Sequence, residues 1–230
     1  MNEEIECTNT KSLSLILKEL MPGAETLCEP FFGSHSIILS PLDLHFKVKI
    51  LNDRERGLVN LFELHRVNPE LLESLQNKND SFDVKELGDI DLDSFSSSPF
   101  LSDIEDVKKA LDAFLACKEI LHDIAGIGTD QAMNYIHSLL KPVLVENLPQ
   151  QEFLTRFDRW YTVFFIQENN LELMDPSIFG GFLRDMKGTL LTNTLEKRGY
   201  LENYCERDFT INVKFESSTV GKTLDCWKSH

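Results

Sequence analysis

The feature that most constrains this chain is a recurring pair of patterns. A short apolar run ends in a polar tip, and a stretch with helical spacing follows. The apolar runs are Thr26-Leu-Cys-Glu, Phe46-Lys-Val-Lys-Ile-Leu closing on Asn52-Asp53, Pro142-Val-Leu-Val-Glu, Thr162-Val-Phe-Phe-Ile-Gln and Gly188-Thr-Leu-Leu-Thr. Runs that are apolar at consecutive positions suit strands buried on both faces, which is the habit of parallel sheets covered by helices. Thr162–Ile166 is the most hydrophobic of them and is expected at the centre. Pro142–Glu146 also reads as a buried-type strand. Phe209–Phe215 alternates, as a strand near an edge does.

The helical stretches fall between the strands. Ser12–Met21 carries Leu13, Leu17 and Leu20 and stops at Pro22-Gly23. Arg54–Val67 carries Leu58, Leu61, Phe62 and Leu64. Ile104–Ile124 is a long amphipathic helix, and another runs from after Gly128 to about Leu140. Glu152–Phe157 and Ser177–Met186 complete the set. The expected fold is therefore α/β with a central, mostly parallel sheet. Its first 67 residues read helix, strand, turn, helix, strand, acid, helix. That order opens a doubly wound, Rossmann-like sheet, in which ligands sit at the carboxyl ends of the strands.

The middle departs from this rhythm. Between Glu70 and Asp106 stand 11 acids against only Lys78 and Lys85, together with Phe95-Ser-Ser-Ser-Pro. This reads as a solvated, loop-rich insert followed by two helices. The organisation is thus residues 1–68 as the first half of the sheet, 69–141 as an acidic insert, and 142–230 as the second half. The whole chain of 230 residues carries a formal charge of −15. Gripping phosphates favours the opposite sign.

Several chemistries are absent from the pattern. Five cysteines, Cys7, Cys28, Cys117, Cys205 and Cys226, form no CxxC pair, and the histidines form no HxH or HxxxH pair. Neither a disulfide framework nor a metal site is expected. Reduced thiols fit a cytoplasmic protein. No apolar run is long enough for a membrane span. The acidic opening Met-Asn-Glu-Glu-Ile-Glu reads as lacking a leader peptide. There is no Walker loop and no GxSxG elbow.

Glu29-Pro30-Phe31-Phe32-Gly33-Ser34, followed some twenty positions later by Asn52-Asp53, resembles the Dam-type adenine-specific DNA methyltransferases. Leu58-Val-Asn-Leu-Phe, His137-Ser-Leu-Leu-Lys-Pro-Val-Leu-Val-Glu-Asn, Phe157-Asp158 and Thr162-Val-Phe-Phe-Ile extend the likeness along most of the chain. The resemblance implies the methyltransferase fold and an S-adenosylmethionine site. Lys11, Phe32, Gly33 and Asp53 would be its cofactor-binding residues, with Asp53 at the ribose hydroxyls. Gln167 and Asn170 stand at the positions of the catalytic motif.

The same comparison exposes departures. The family's Asp-Pro-Pro-Tyr is replaced by Gln167-Glu168-Asn169-Asn170, which offers no carboxylate at the first position and no ring to stack on a flipped base. Asp175-Pro176-Ser177 is the only place for a shifted motif. The family's second loop glycine is His35, whose imidazole would crowd or fill the cofactor's methionine end. The insert, basic in the family, is acidic here. Framework residues persist while ligand-contacting ones change. The expectation is a binding or assembly module without catalysis, which would have a protein partner and no cofactor. The alternative is an active S-adenosylmethionine-dependent DNA adenine methyltransferase with divergent motifs. A third reading is a nucleotide binder that uses Asp53 as ribose anchor. None of the three involves a membrane or a metal.

Overall fold

The computed structural model describes residues 3–7, 10–32, 36–38, 45–76, 98, 100–120, 129–171, 174–193, 198–213 and 222–229. The strands are β1 (Glu3–Cys7), β2 (Thr26–Glu29), β3 (Val48–Asn52), β4 (Val143–Glu146), β5 (Thr162–Ile166), β6 (Thr189–Thr192), β7 (Cys205–Val213) and β8 (Lys222–Ser229). They form one eight-stranded sheet in the order β1-β7-β8-β6-β5-β2-β3-β4. Only β8 runs against its neighbours; every other pairing is parallel. The chain is thus α/β with a mostly parallel mixed sheet.

The helices are α1 (Thr10–Leu20), α2 (Gly57–Val67), α3 (Pro69–Gln76), α4 (Ile104–Ile120), α5 (Thr129–Leu140), α6 (Gln150–Phe157), α7 (Glu168–Leu171), α8 (Pro176–Asp185) and α9 (Arg198–Leu201). Successive strand residues point to opposite faces, so each strand feeds two cores. Leu27, Leu51, Val163 and Phe165 join Leu17 of α1, Leu58 and Leu61 of α2, and Phe114 of α4 on one face. Cys28, Ile50, Phe164 and Ile166 join Phe153 of α6 and Phe179 and Leu183 of α8 on the other. The central placement expected of β5 holds: it lies between β2 and β6 and all five residues are buried.

Two expectations change, and two strands are present that the sequence did not announce. β4 is no buried-type strand. It is the edge of the sheet, and Leu144 and Val145 are exposed. Its apolar run reads as buried only if a strand is assumed on each side, and β3 alone pairs with it. The insert starts with a helix, α3, in place of a loop, so the described residues of 69–141 hold three helices. Leu72 of α3 and Val107, Leu111 and Phe114 of α4 lie in the same core as α2. The apolar side of an acidic segment is therefore what binds it to the sheet. Last, β1 and β8 carry no strong apolar run and are set by pairing. β8 wedges between β6 and β7, where buried Trp227 donates to Thr192 Oγ1 at 3.0 Å and Thr210 donates to buried Asp225 at 2.7 Å. The Phe32-Gly33-Ser34 turn lies partly outside the described residues, as do most of the acidic stretch (77–97) and His35. Among the described residues no helix is long and apolar enough to cross a membrane.

Candidate functional site

Chain order sets where a cleft can form. From β2 the sheet grows through β3 to β4 in one direction, and from β5 through β6 in the other. The connections leave β2 and β5 on opposite sides, so their carboxyl ends diverge and open a crevice. A cleft of about 630 Å³ lies there, with Phe31, Phe32, Asp53, Arg54, Gln150 and Asn170 among its walls. That volume suits a small organic ligand.

Buried polar side chains brace the cleft floor. Glu29, at the tip of β2, is 1% exposed. Its carboxyl accepts hydrogen bonds from Ser36 Oγ at 2.5 Å, Ile37 N at 2.5 Å and Ile38 N at 3.1 Å, tying the strand to the segment beyond the turn. Burial pushes this carboxyl up to about 7, against the pull of those three donors. Asn52, fully buried at the tip of β3, donates to Pro30 O at 3.2 Å and Leu148 O at 2.9 Å. Its Oδ1 accepts from Leu148 N at 2.9 Å. One amide therefore joins the loops after β2, β3 and β4. Asn147 repeats the device from the β4 side, donating to the carbonyls of Asp53 and Arg54 at 2.8 and 2.6 Å.

Asp53 sits where the cofactor-site expectation needs it, in the cleft wall, but its carboxylate has a structural duty. It accepts from Gly57 N at 3.0 Å and Leu58 N at 2.8 Å, so it caps α2. Arg56, just before that helix, has a left-handed φ of 60° and donates from Nε to Asn147 Oδ1 at 3.1 Å. Asp53 is 3% exposed, and burial raises its pKa despite the two helix donors. Each oxygen keeps a lone pair beyond its helix bond, so a ligand hydroxyl is still a feasible donor.

The insert supplies the outer wall. Glu105, Lys109, Asp112 and Ala113 of α4 line the cleft. α4 crosses the start of α2 so closely that a Cβ on Gly57 would stand 3.0 Å from Ala113 Cβ. With Glu55 included, the rim is more acidic than basic. Arg54 reaches over the opening to Gln150 Oε1 at 2.9 Å.

The remaining predicted residues separate. Phe32 and Asn170 line the cleft with Asp53. Gln167 follows β5 and is buried, and its carbonyl accepts from Asn170 N at 3.0 Å. It is not part of the cleft lining. Lys11 lies in the first turn of α1, and Gly33 falls outside the described residues. Asp175, the shifted-motif candidate, caps α8 through Ser177 N, Ser177 Oγ and Ile178 N, and lines a different cleft. Cys28 is fully buried and its thiol is pushed up by burial and then by Glu29, which suits a core residue. Among the described residues no group of three or more His, Cys, Asp or Glu could hold a metal ion.

The sequence reading missed Glu29, Asn52 and Asn147 as braces. A polar residue at the tip of an otherwise apolar strand was the available signal for the first two. Nothing local marks Glu105, Lys109 or Asp112 as cleft residues, because α4 reaches the site only through tertiary packing. No protein-family model matches this sequence, and neither does any curated protein.

Proposed function

We propose that this chain is a Rossmann-like module of the methyltransferase type that keeps the fold and lacks the chemistry, and that it acts by binding or assembly. The strand order, with its reversal between β2 and β5 and one antiparallel strand, supports the fold assignment. The resemblance of Glu29-Pro30-Phe31-Phe32-Gly33-Ser34 and Asn52-Asp53 to adenine-specific DNA methyltransferases supports the type. Function is argued from the site rather than from the fold.

The observation that carries the reading is the end of β5. Transfer to an adenine amine needs an acceptor for the amine hydrogens beside the methyl donor, and a stacking surface for the extruded base. Gln167 and Asn170 are amides. Gln167 is buried, and the carboxylate of Asp175, which lines a different cleft, is engaged at the N-terminus of α8. The cleft's open volume beside Asp53 favours a second reading, an active S-adenosylmethionine-dependent DNA adenine methyltransferase with divergent motifs.

The test is transfer of a labelled methyl group from S-adenosylmethionine to duplex DNA containing adenine in many sequence contexts, with a calorimetric titration of the same cofactor. The module reading expects label incorporation at background even at millimolar cofactor. Incorporation above background, abolished by Asn170→Ala, would replace it with the second reading.

A further inference from the structure

A second cleft lies away from the switch point, between α6 and α8. It measures about 630 Å³, and its apolar lining comes from Leu154, Met174, Ile178, Phe179 and Phe182. Phe182 makes a stacked contact with Phe179 and an edge contact with Phe164. Ile178 is 43% exposed at the margin.

The glycine pair in α8 bears on what the groove is for. A mid-helix glycine lowers helix stability against alanine, so each one calls for a reason. Gly180 has an internal reason, since a Cβ there would lie 2.8 Å from the Tyr204 ring. Gly181 lines the groove, and a Cβ on it would meet nothing within 4 Å. Packing among the described residues does not require that glycine. It leaves a notch in which another backbone can approach α8.

Charge narrows the occupant. Asp158 is buried and holds Lys187 N and Gly188 N, which leaves Asp175 and Asp185 at the groove against one base, Lys187. A second copy would bring the same acidic rim and its own −15 charge. We propose that the α6–α8 groove docks an amphipathic helix of a partner protein. Its apolar face covers Phe182 and Ile178, its backbone approaches Gly181, and its flanking lysines or arginines meet Asp175 and Asp185. Helices laid into apolar grooves through residues at i, i+3, i+4 and i+7 are an established recognition mode. The proposal rests on the binding-module reading for the existence of a partner. Methyl transfer to DNA would remove that reading whatever happens at this groove, while failure at the groove leaves it standing.

The test uses the full chain and two synthetic helical peptides of about four turns. Both carry leucines at i, i+3, i+4 and i+7. One has lysines on its flanks and the other glutamates. Fluorescence anisotropy reads binding to the wild type, Gly181→Leu and Asp185→Lys. Gly181→Leu fills the notch where space is open, so its melting temperature is expected to equal or exceed that of the wild type. The expected result is saturable binding of the basic peptide, at least about tenfold weaker binding of the acidic one, and at least about tenfold loss in each variant, or roughly 1.4 kcal/mol. Equal binding of both peptides, no binding, or binding unchanged by Gly181→Leu overturns the proposal. So does a wild-type dimer in light scattering that Gly181→Leu dissolves, since the occupant is then a second copy.

Discussion

Replacing Glu29 by glutamine tests the buried carboxyl at the tip of β2 directly. In the unfolded chain this carboxyl has its ordinary value of 4.5, and in the fold burial pushes it up to about 7. Between those values the folded state holds a proton that the unfolded state has released. Its contribution to stability is therefore complete below pH 4.5 and is lost as pH rises through about 7. At about 1.4 kcal/mol per unit, the full loss is about 3 kcal/mol, most of which falls between pH 5 and pH 8. Glutamine has no charge to bury. Its Oε1 can keep the bonds from Ile37 N and Ile38 N, while its amide donates to a Ser36 hydroxyl turned to accept. Urea unfolding of both proteins near pH 5 and near pH 8 isolates the effect, because other titrating groups cancel in the difference. The wild type should lose about 2–3 kcal/mol relative to Glu29→Gln over that interval. A difference constant to within about 0.5 kcal/mol would refute the argument that an ionised Glu29 is poorly tolerated in the fold.

Further outcomes follow from the same packing. Asn52→Ala strands Leu148 N and two carbonyls at the junction of three loops, and should lower stability by about 3 kcal/mol in urea titrations. Gly188→Ala would set a Cβ 2.5 Å from Thr162 O, at the start of β5, and should cost about 2–3 kcal/mol, read as a fall in melting temperature. Cys28, Cys117, Cys205 and Cys226 are buried, and burial pushes the Cys205 thiol up to about 11 and the Cys117 thiol up to about 12. A thiol-specific reagent at neutral pH should modify these four only after denaturant is added, with mass spectrometry locating the adducts.

Much of the sheet is legible locally. β2, β3, β5 and β6 are short apolar runs, and α1, α2, α5, α6 and α8 repeat leucines and phenylalanines at helical spacing. Both signals come from a single rule: residues that share a face recur with the period of the backbone. The same rule misreads β4. Four consecutive apolar or tip residues look buried whether or not a further strand completes the sheet beside them, and among the described residues β3 is the only neighbour of β4. It also passes over β1 and β8, whose place depends on pairing with β7 and β6, far along the chain.

The site divides in the same way. The sequence by itself determined which side chains stand at the strand tips: Glu29, Asn52, Asp53 and Gln167, with amides at the end of β5. Only the tertiary structure decided what those side chains hold. Asp53 is committed to the amides of Gly57 and Leu58, Asn52 spans to Leu148, and Glu29 is sealed from water beneath Ser36 and Ile37. α4, from the acidic segment, becomes a cleft wall because its apolar face packs on α2. Residue type and spacing are properties of neighbours along the chain, whereas burial, and partners such as Leu148 for Asn52, are set by segments tens of residues away.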